Sequence, residues 1–511
     1  MILSFLLLPI LIIASDLIVQ TSYGYLEGSP IQSVYNKSCW IFKGVPFAQP
    51  PTGNRRFKLP IPPKPWRGVK SAKQYSAACM SNSTMTTSPQ QNISEDCLYI
   101  NIFTSEKCMS NPGSCPVVFY IHGGALNYDS AVMFDDQYIT DRYSSKDIVF
   151  VISAFRLGFF GVLAFENDYV VPRNLALYDI IVGLEFVHQE ISNFGGDHHQ
   201  VTLMGHSQGG SIALLFAVSS LVDPEKRLFQ QLIALSPAVN YRNGAGRADL
   251  TWRVAYEVGC VPSKDRPSST TAAETEAIVE CLRSVDAYVL LQKQRMLEEN
   301  EGLLFDGVLF APPLVEDKTN FKNFTVNCIA RPMICSSTRY EFNFQNDDIY
   351  DIGAFLMVEH PAEIRKKYFE DKKSRKVSDS YLSQVVFTLN AMFSFLFTRK
   401  GSNVYLMQYD QGPFPMHSFD MPHFIGTHMR SFDINDKIID EFYEKSFVNF
   451  INGREPNADW RSFNAQKRNY YSVVADLKRR LLPSNRFDYH SSVVDYWLHN
   501  ITDYDASLSK L

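Results

Sequence analysis

The chain has little charge imbalance and little that repeats. Its 49 Lys and Arg against 54 Asp and Glu leave a formal charge of −5 over 511 residues. That balance supplies neither the basic footprint of a nucleic-acid binder nor a polyacidic tail. No internal repeat, long linker or low-complexity block interrupts it, so one domain over residues 16–511 is the simplest organisation. No apolar run near the C-terminus could serve as a membrane span or lipid-anchor signal, and a soluble mature product is expected. The nine cysteines are an odd number, which leaves at least one unpaired if the rest are oxidised.

What is present is a chain long enough to bury a large core, with 45% hydrophobic residues. The first stretch, MILSFLLLPILIIAS, is apolar from Ile2 to Ala14. It falls short of the roughly 20 residues a spanning helix needs and fits the apolar region of a secretory signal, with cleavage near Ser15. No Lys or Arg precedes the run, and a helix buried in the fold is the alternative. Asn-x-Ser/Thr triplets at Asn36, Asn82, Asn92, Asn323 and Asn500 suit a glycosylated secretory product. The last three residues, Ser509, Lys510 and Leu511, spell a peroxisomal address, but a signal peptide acts first, during synthesis.

Cys79 and Cys97 flank a polar loop rich in Ser, Thr and Asn, and Cys260 and Cys281 flank another. Both read as stapled surface loops. Cys108 and Cys115 bracket MSNPGS and offer a third bridge, whereas Cys39, Cys328 and Cys335 have no clear partners. For any pair the alternative is two buried free thiols.

From about Cys97 to Phe216, short continuously apolar runs (CPVVFYIH, DIVFVISAF, QVTLM) alternate with longer helical patterns (YDIIVGLEFVHQEI, SIALLFAVSSL). This alternation predicts an α/β fold, a mostly parallel sheet buried on both faces by helices. ARPMICSS and NVYLMQYD predict two further strands, with a helix over Tyr381–Phe397 between them.

Gly205-His206-Ser207-Gln208-Gly209 has the form G-x-S-x-G and sits where QVTLM hands over to SIALLFAVSSL. A strand that turns this sharply into a helix crowds the residues two before and two after the corner, so both must lack a bulky Cβ. The corner serine is then held strained, with Oγ exposed beyond the sheet edge. The alternative is a serine capping an ordinary helix. A nucleophilic serine also needs donors for the charge that develops on the attacked oxygen. His122-Gly123-Gly124-Ala125 follows the strand-like VVFYI, and the backbone N–H groups of Gly124, Ala125 and Gln208 are the candidate donors. A plain glycine turn is the alternative for that loop.

FKGVPFAQPPTGNRRF (Phe42 to Phe57) and SEDCLYINIF (Ser94 to Phe103) resemble signature stretches of the type-B carboxylesterase family, which includes cholinesterases and bile-salt lipases. RLGFFG (Arg156 to Gly161) and NFGGD (Asn193 to Asp197) also match. The similarity runs from about Gly24 to Trp497. It implies an α/β-hydrolase fold with one large mixed sheet, and disulfides Cys79–Cys97 and Cys260–Cys281.

A hydroxyl needs a base, and the base needs an orienting carboxylate; in the implied fold the chain order is serine, acid, histidine. HSFDMPHFIG, after the strand-like NVYLMQYD, resembles the family's histidine loop with Pro422, Phe424 and Gly426 in register, which makes His417 the match. His423 and His428 invite a zinc reading, but their spacing fits no helical ligand pair and no cysteine or carboxylate set completes a site. Glu341 stands beyond PMICSST where the family carries its acid. Ser336, Tyr340 and Phe342 depart from the glycine, acidic residue and glycine usual there, and Asp347 or Asp348 are alternative acids. Ala125, His206 and Gln208 also replace the commoner glycine, glutamate and alanine.

The resemblance implies hydrolysis of carboxylic esters through an acyl-enzyme on Ser207, without metal or organic cofactor. The loop Met80 to Asp96 contains no Trp, Tyr or Phe to face a quaternary ammonium, so a neutral or lipid-like ester is expected rather than acetylcholine. The alternatives are a catalytically silent adhesion or binding ectodomain and a triglyceride or cholesterol-ester lipase.

Overall fold

A computed structural model describes residues 17–81, 92–166, 168–239, 241–242, 244–316, 321–343, 352–377 and 379–509. The apolar stretch 1–15, Asn82, Asp347, Asp348, Lys510 and Leu511 lie outside the described residues.

The continuously apolar runs become strands of one eleven-stranded sheet. Numbered in chain order, these are β1 (Ser29–Gln32), β2 (Ser38–Pro46), β3 (Tyr99–Ser105), β4 (Cys115–Ile121), β5 (Val149–Ser153), β6 (Gly196–His206), β7 (Gln231–Leu235), β8 (Met333–Thr338), β9 (Val404–Tyr409), β10 (Tyr470–Val473) and β11 (Ser484–Arg486). The spatial order is β11-β10-β9-β8-β7-β6-β4-β5-β3-β2-β1. Neighbours from β5 through β4 and β6 to β10 run parallel, and antiparallel strands close both edges. Every residue of β4, β5, β7, β8 and β9 is buried, as a sheet covered on both faces requires.

Helices α1 (Leu175–Glu190), α2 (Gln208–Val218), α3 (Ala287–Glu301) and α4 (Tyr381–Arg399) matter most for the site. α2 is buried along its whole length and packs on β6 and β7. α4, capped by the Ser380 side chain, packs on β8 and β9. It is long and apolar enough to cross a membrane, but 14 of its 19 residues are buried inside the protein. Its apolar surface therefore belongs to the core.

The signature stretches meet in space. Arg56 grips Glu95 with two parallel hydrogen bonds of 2.6 Å and donates to the carbonyl oxygens of Leu282 and Val285. Such a fork holds both planes in one orientation. Arg156 of RLGFFG forms a buried pair with Asp179 of α1 at 2.7 Å. Disulfides join Cys79–Cys97, Cys108–Cys115 and Cys260–Cys281, while Cys39, Cys328 and Cys335 are buried free thiols.

Candidate active site

Crowding makes the corner at Ser207. A Cβ on Gly205 would strike the carbonyl of Gly209, and a Cβ on Gly209 would strike the carbonyl of Ile121 in β4. Only hydrogen at both positions lets β6 turn into α2 this tightly. Ser207 itself takes φ 57°, ψ −123°, disfavoured for any side-chain-bearing residue. Its N–H donates to Leu235 O at 2.8 Å, which ties the corner to the end of β7.

Three residues past β8, Glu341 is fully buried at φ 27°. Its Oε1 accepts from Ser236 Oγ at 2.7 Å and from the Thr338 N–H at 2.6 Å. That leaves Oε2 to face His417 Nδ1 at 2.6 Å. The histidine loop is zipped to the same turn, since the His417 N–H donates to Glu341 O at 2.9 Å and Tyr340 N–H to Pro415 O at 3.1 Å. On the other side of the imidazole, Nε2 lies 2.9 Å from Ser207 Oγ. The structure thus brings Ser207, His417 and Glu341 into one hydrogen-bonded line, from strand ends β6 and β8 and the loop after β9.

The loop after β4 bends at Gly124, φ 87°, and continues through Ala125 and Leu126 at φ 55° and 61°. A Cβ on Gly123 would lie 3.2 Å from Ser207 Cβ, so this loop passes directly beside the corner. Among the described residues the N–H groups of Gly124, Ala125 and Gln208 have no backbone acceptor. A cavity of about 280 Å³ opens beside His417, lined by Ser418, Phe419, Pro422, His428 and Arg430.

The family model described as carboxylesterase family matches residues 15–490. The chain belongs to the carboxylesterase family. Juvenile hormone esterase of Tribolium castaneum is 34% identical over 285 residues, 54% of this chain and 45% of that protein. Para-nitrobenzyl esterase of Bacillus subtilis is 30% identical over 432 residues, 79% of this chain and 78% of that one. The match therefore spans about half the length of the first relative and most of the second. Among solved structures, juvenile hormone esterase from Manduca sexta with OTFP covalently attached superposes with a TM-score of 0.78 at 21% identity, over 96% of this chain and 100% of that one. The fold is the α/β-hydrolase fold.

Two of the departures from the family pattern, Phe342 and His206, meet the imidazole. Phe342 stacks on His417 with ring centroids 4.1 Å apart, and the buried His206 ring lies 5.0 Å from it at 29°. Burial, then the nearby His417 and His428, holds the His206 pKa well below its ordinary value, so that ring stays uncharged. Neither contact carries a sequence signal beyond an unusual residue at a motif position. Ser236 and Thr338, which orient Glu341, carry none. His423 is buried, stacks on Phe432 and Tyr443, and meets Asp440 at 3.3 Å. It is a core ring.

Asp420, three residues past His417, is a second buried carboxyl. Tyr443 OH donates to its Oδ2 at 3.1 Å. Burial, then the negative field of Glu341, pushes its pKa up to about 7. The sequence signal for it was only an acidic residue inside the histidine loop.

Proposed function

We propose that the protein is a serine carboxylesterase whose triad is Ser207, His417 and Glu341. Ser207 Oγ attacks the ester carbonyl while His417 Nε2 takes its proton, and the Glu341 carboxylate stabilises the imidazolium. The N–H groups of Gly124, Ala125 and Gln208 receive the charge on the former carbonyl oxygen. As the tetrahedral intermediate collapses, His417 returns the proton to the departing alcohol. A water deprotonated by the same ring then cleaves the acyl-enzyme, releasing the acid and restoring the serine.

The observation that carries this reading is the line from Ser207 Oγ to His417 Nε2 at 2.9 Å and from Nδ1 to Glu341 at 2.6 Å. The buried carboxylate end is saturated by Ser236 and Thr338, so its remaining oxygen has one partner to serve. Neutral or lipid-like esters are the proposed substrates, in keeping with relatives named for juvenile hormone and para-nitrobenzyl esters. Secretion, with glycans at the exposed Asn36, Asn92 and Asn500, fits a chain carrying three disulfides.

A fluorophosphonate probe incubated with folded protein should label the peptide containing Ser207, and Ser207→Ala should remove both the label and turnover of p-nitrophenyl butyrate. An unlabelled, inert wild-type chain would replace this reading with a binding ectodomain. Turnover of emulsified long-chain esters in preference to soluble short ones would make it a lipase.

A further inference from the structure

The loop from Gly124 to Asp129 holds three side-chain-bearing residues, Ala125, Leu126 and Asp129, at φ between 55° and 65°. Each is disfavoured on its own, so something outside the loop must over-determine it. Part of the answer is backbone: the Gly158 N–H donates to Leu126 O at 2.7 Å and the Gly307 N–H to Ala125 O at 3.3 Å. The rest comes from α3, far away in sequence.

Asn127 is 1% exposed, and its side chain points into a cluster from one face of α3. Its Nδ2 donates to Glu298 Oε1 at 2.7 Å, and its Oδ1 accepts from Gln294 at 3.0 Å and Arg295 at 2.8 Å. Its backbone oxygen accepts from Arg295 at 3.1 Å and Ser81 Oγ at 2.9 Å. Gln294 is fully buried and also accepts from the Phe159 N–H at 2.8 Å. Arg295 pairs with Glu298, whose Oε1 takes a further bond from Gln294 at 2.9 Å. In this buried cluster the charges of Arg295 and Glu298 offset each other. The cost of burying it is tolerable only in one register, which makes such a network specific rather than merely adhesive.

We propose that α3 sets the oxyanion donors: Gln294, Arg295 and Glu298 clamp Asn127, and Asn127 is the positioning residue that holds the Gly124 and Ala125 N–H groups in place. The proposal rests on the ester-hydrolase reading above. Asn127 does not touch substrate. Its loss should weaken stabilisation of the oxyanion while leaving ground-state binding alone, because the donors matter most when charge develops.

The test uses the full chain with p-nitrophenyl butyrate as substrate and an aryl trifluoromethyl ketone as a reversible oxyanion mimic. Asn127→Ala should lower kcat about 10²-fold, hold KM within about threefold, and weaken the ketone by about the same factor as kcat. Glu298→Gln keeps an acceptor for Asn127 and should retain most of kcat, whereas Glu298→Ala should not. If Asn127→Ala fails to fold, Gln294→Met reads the same clamp with about a tenfold loss in kcat. Unchanged kcat in the folded variant, or a KM rise without loss of ketone affinity, overturns the proposal. An inert wild-type chain would sink the esterase reading and this with it. An active wild type with an indifferent Asn127→Ala sinks only the clamp.

Discussion

Ser207 and Glu341 both sit at positive φ, 57° and 27°, just beyond strands two places apart in the parallel sheet. What holds them there differs. At Ser207 the neighbours are backbone: Gly205 meets the Gly209 carbonyl, Gly209 meets the Ile121 carbonyl, and a side chain at either glycine would force the corner open. At Glu341 the support is a set of hydrogen bonds, with Ser236 Oγ and the Thr338 N–H on the carboxylate, Thr338 Oγ1 accepting from the Glu341 N–H at 3.1 Å and Ser383 Oγ accepting from the Phe342 N–H at 2.9 Å. A steric constraint strips side chains away and leaves a motif. A hydrogen-bonded constraint recruits ordinary serines such as Ser236 and Ser383 from distant segments and leaves almost none.

The largest expected effect strikes the hydrogen-bonded turn. Glu341→Gln should lower kcat about 10⁴-fold with the fold intact, since an amide can no longer fix the tautomer of His417 or stabilise its cation. Steady-state kinetics beside a circular dichroism spectrum would check it. A loss under tenfold would move the acid to Asp347 or Asp348.

The contrast itself is sharpened by pairing Gly209→Ala with Ser236→Ala. The first drives a methyl into backbone that cannot yield and should cost about 3 kcal/mol of stability or more. The second removes one bond to a carboxylate and should cost roughly 1.5–3 kcal/mol. Thermal melts of both would read the difference. Equal losses would mean that the two turns are held alike.

A smaller effect is expected from the second buried carboxyl. Asp420 holds its proton up to about pH 7 in the folded chain, against the ordinary 3.8 when unfolded. Its contribution to stability is thus fully present below about pH 4 and is lost as the pH rises through 7, because the unfolded chain releases that proton first. Asp420→Asn abolishes the penalty, so its melting temperature relative to wild type should climb from pH 5 to pH 8. Glu341, His417 and Tyr443 all face this carboxyl. A difference flat across that range would show Asp420 ionised throughout.

These two modes of support also explain what the sequence makes legible. The strands β4, β5, β8 and β9 stand out as short, mostly apolar runs because burial on both faces leaves few polar positions. Gln231–Leu235 is equally buried, but only its last four residues are apolar, between Gln230-Gln231 and Ser236-Pro237, so it does not stand out from its surroundings. The QVTLM strand reaches back to Gly196, since the turn at Gly195 (φ 86°) rather than hydropathy sets where it begins. Ser207 and the histidine loop sit in short motifs, so spacing finds them. Ser236, the ring of His206 over His417, and the α3 residues around Asn127 act across gaps of about a hundred residues or more, and periodicity carries no trace of such contacts.

α4 carries its own consequence for how the chain is made. A nascent polypeptide threaded through a membrane channel must let this greasy segment pass instead of slipping sideways into lipid. Asn390, which in the finished protein reaches Ser336 O at 2.7 Å, and Gln384, which accepts from Trp497 at 2.8 Å, have no such partners during transit. Two bare amides in hydrocarbon are expensive. For a chain exported as proposed, the groups that later knit the core would also keep the unfinished chain moving through the channel.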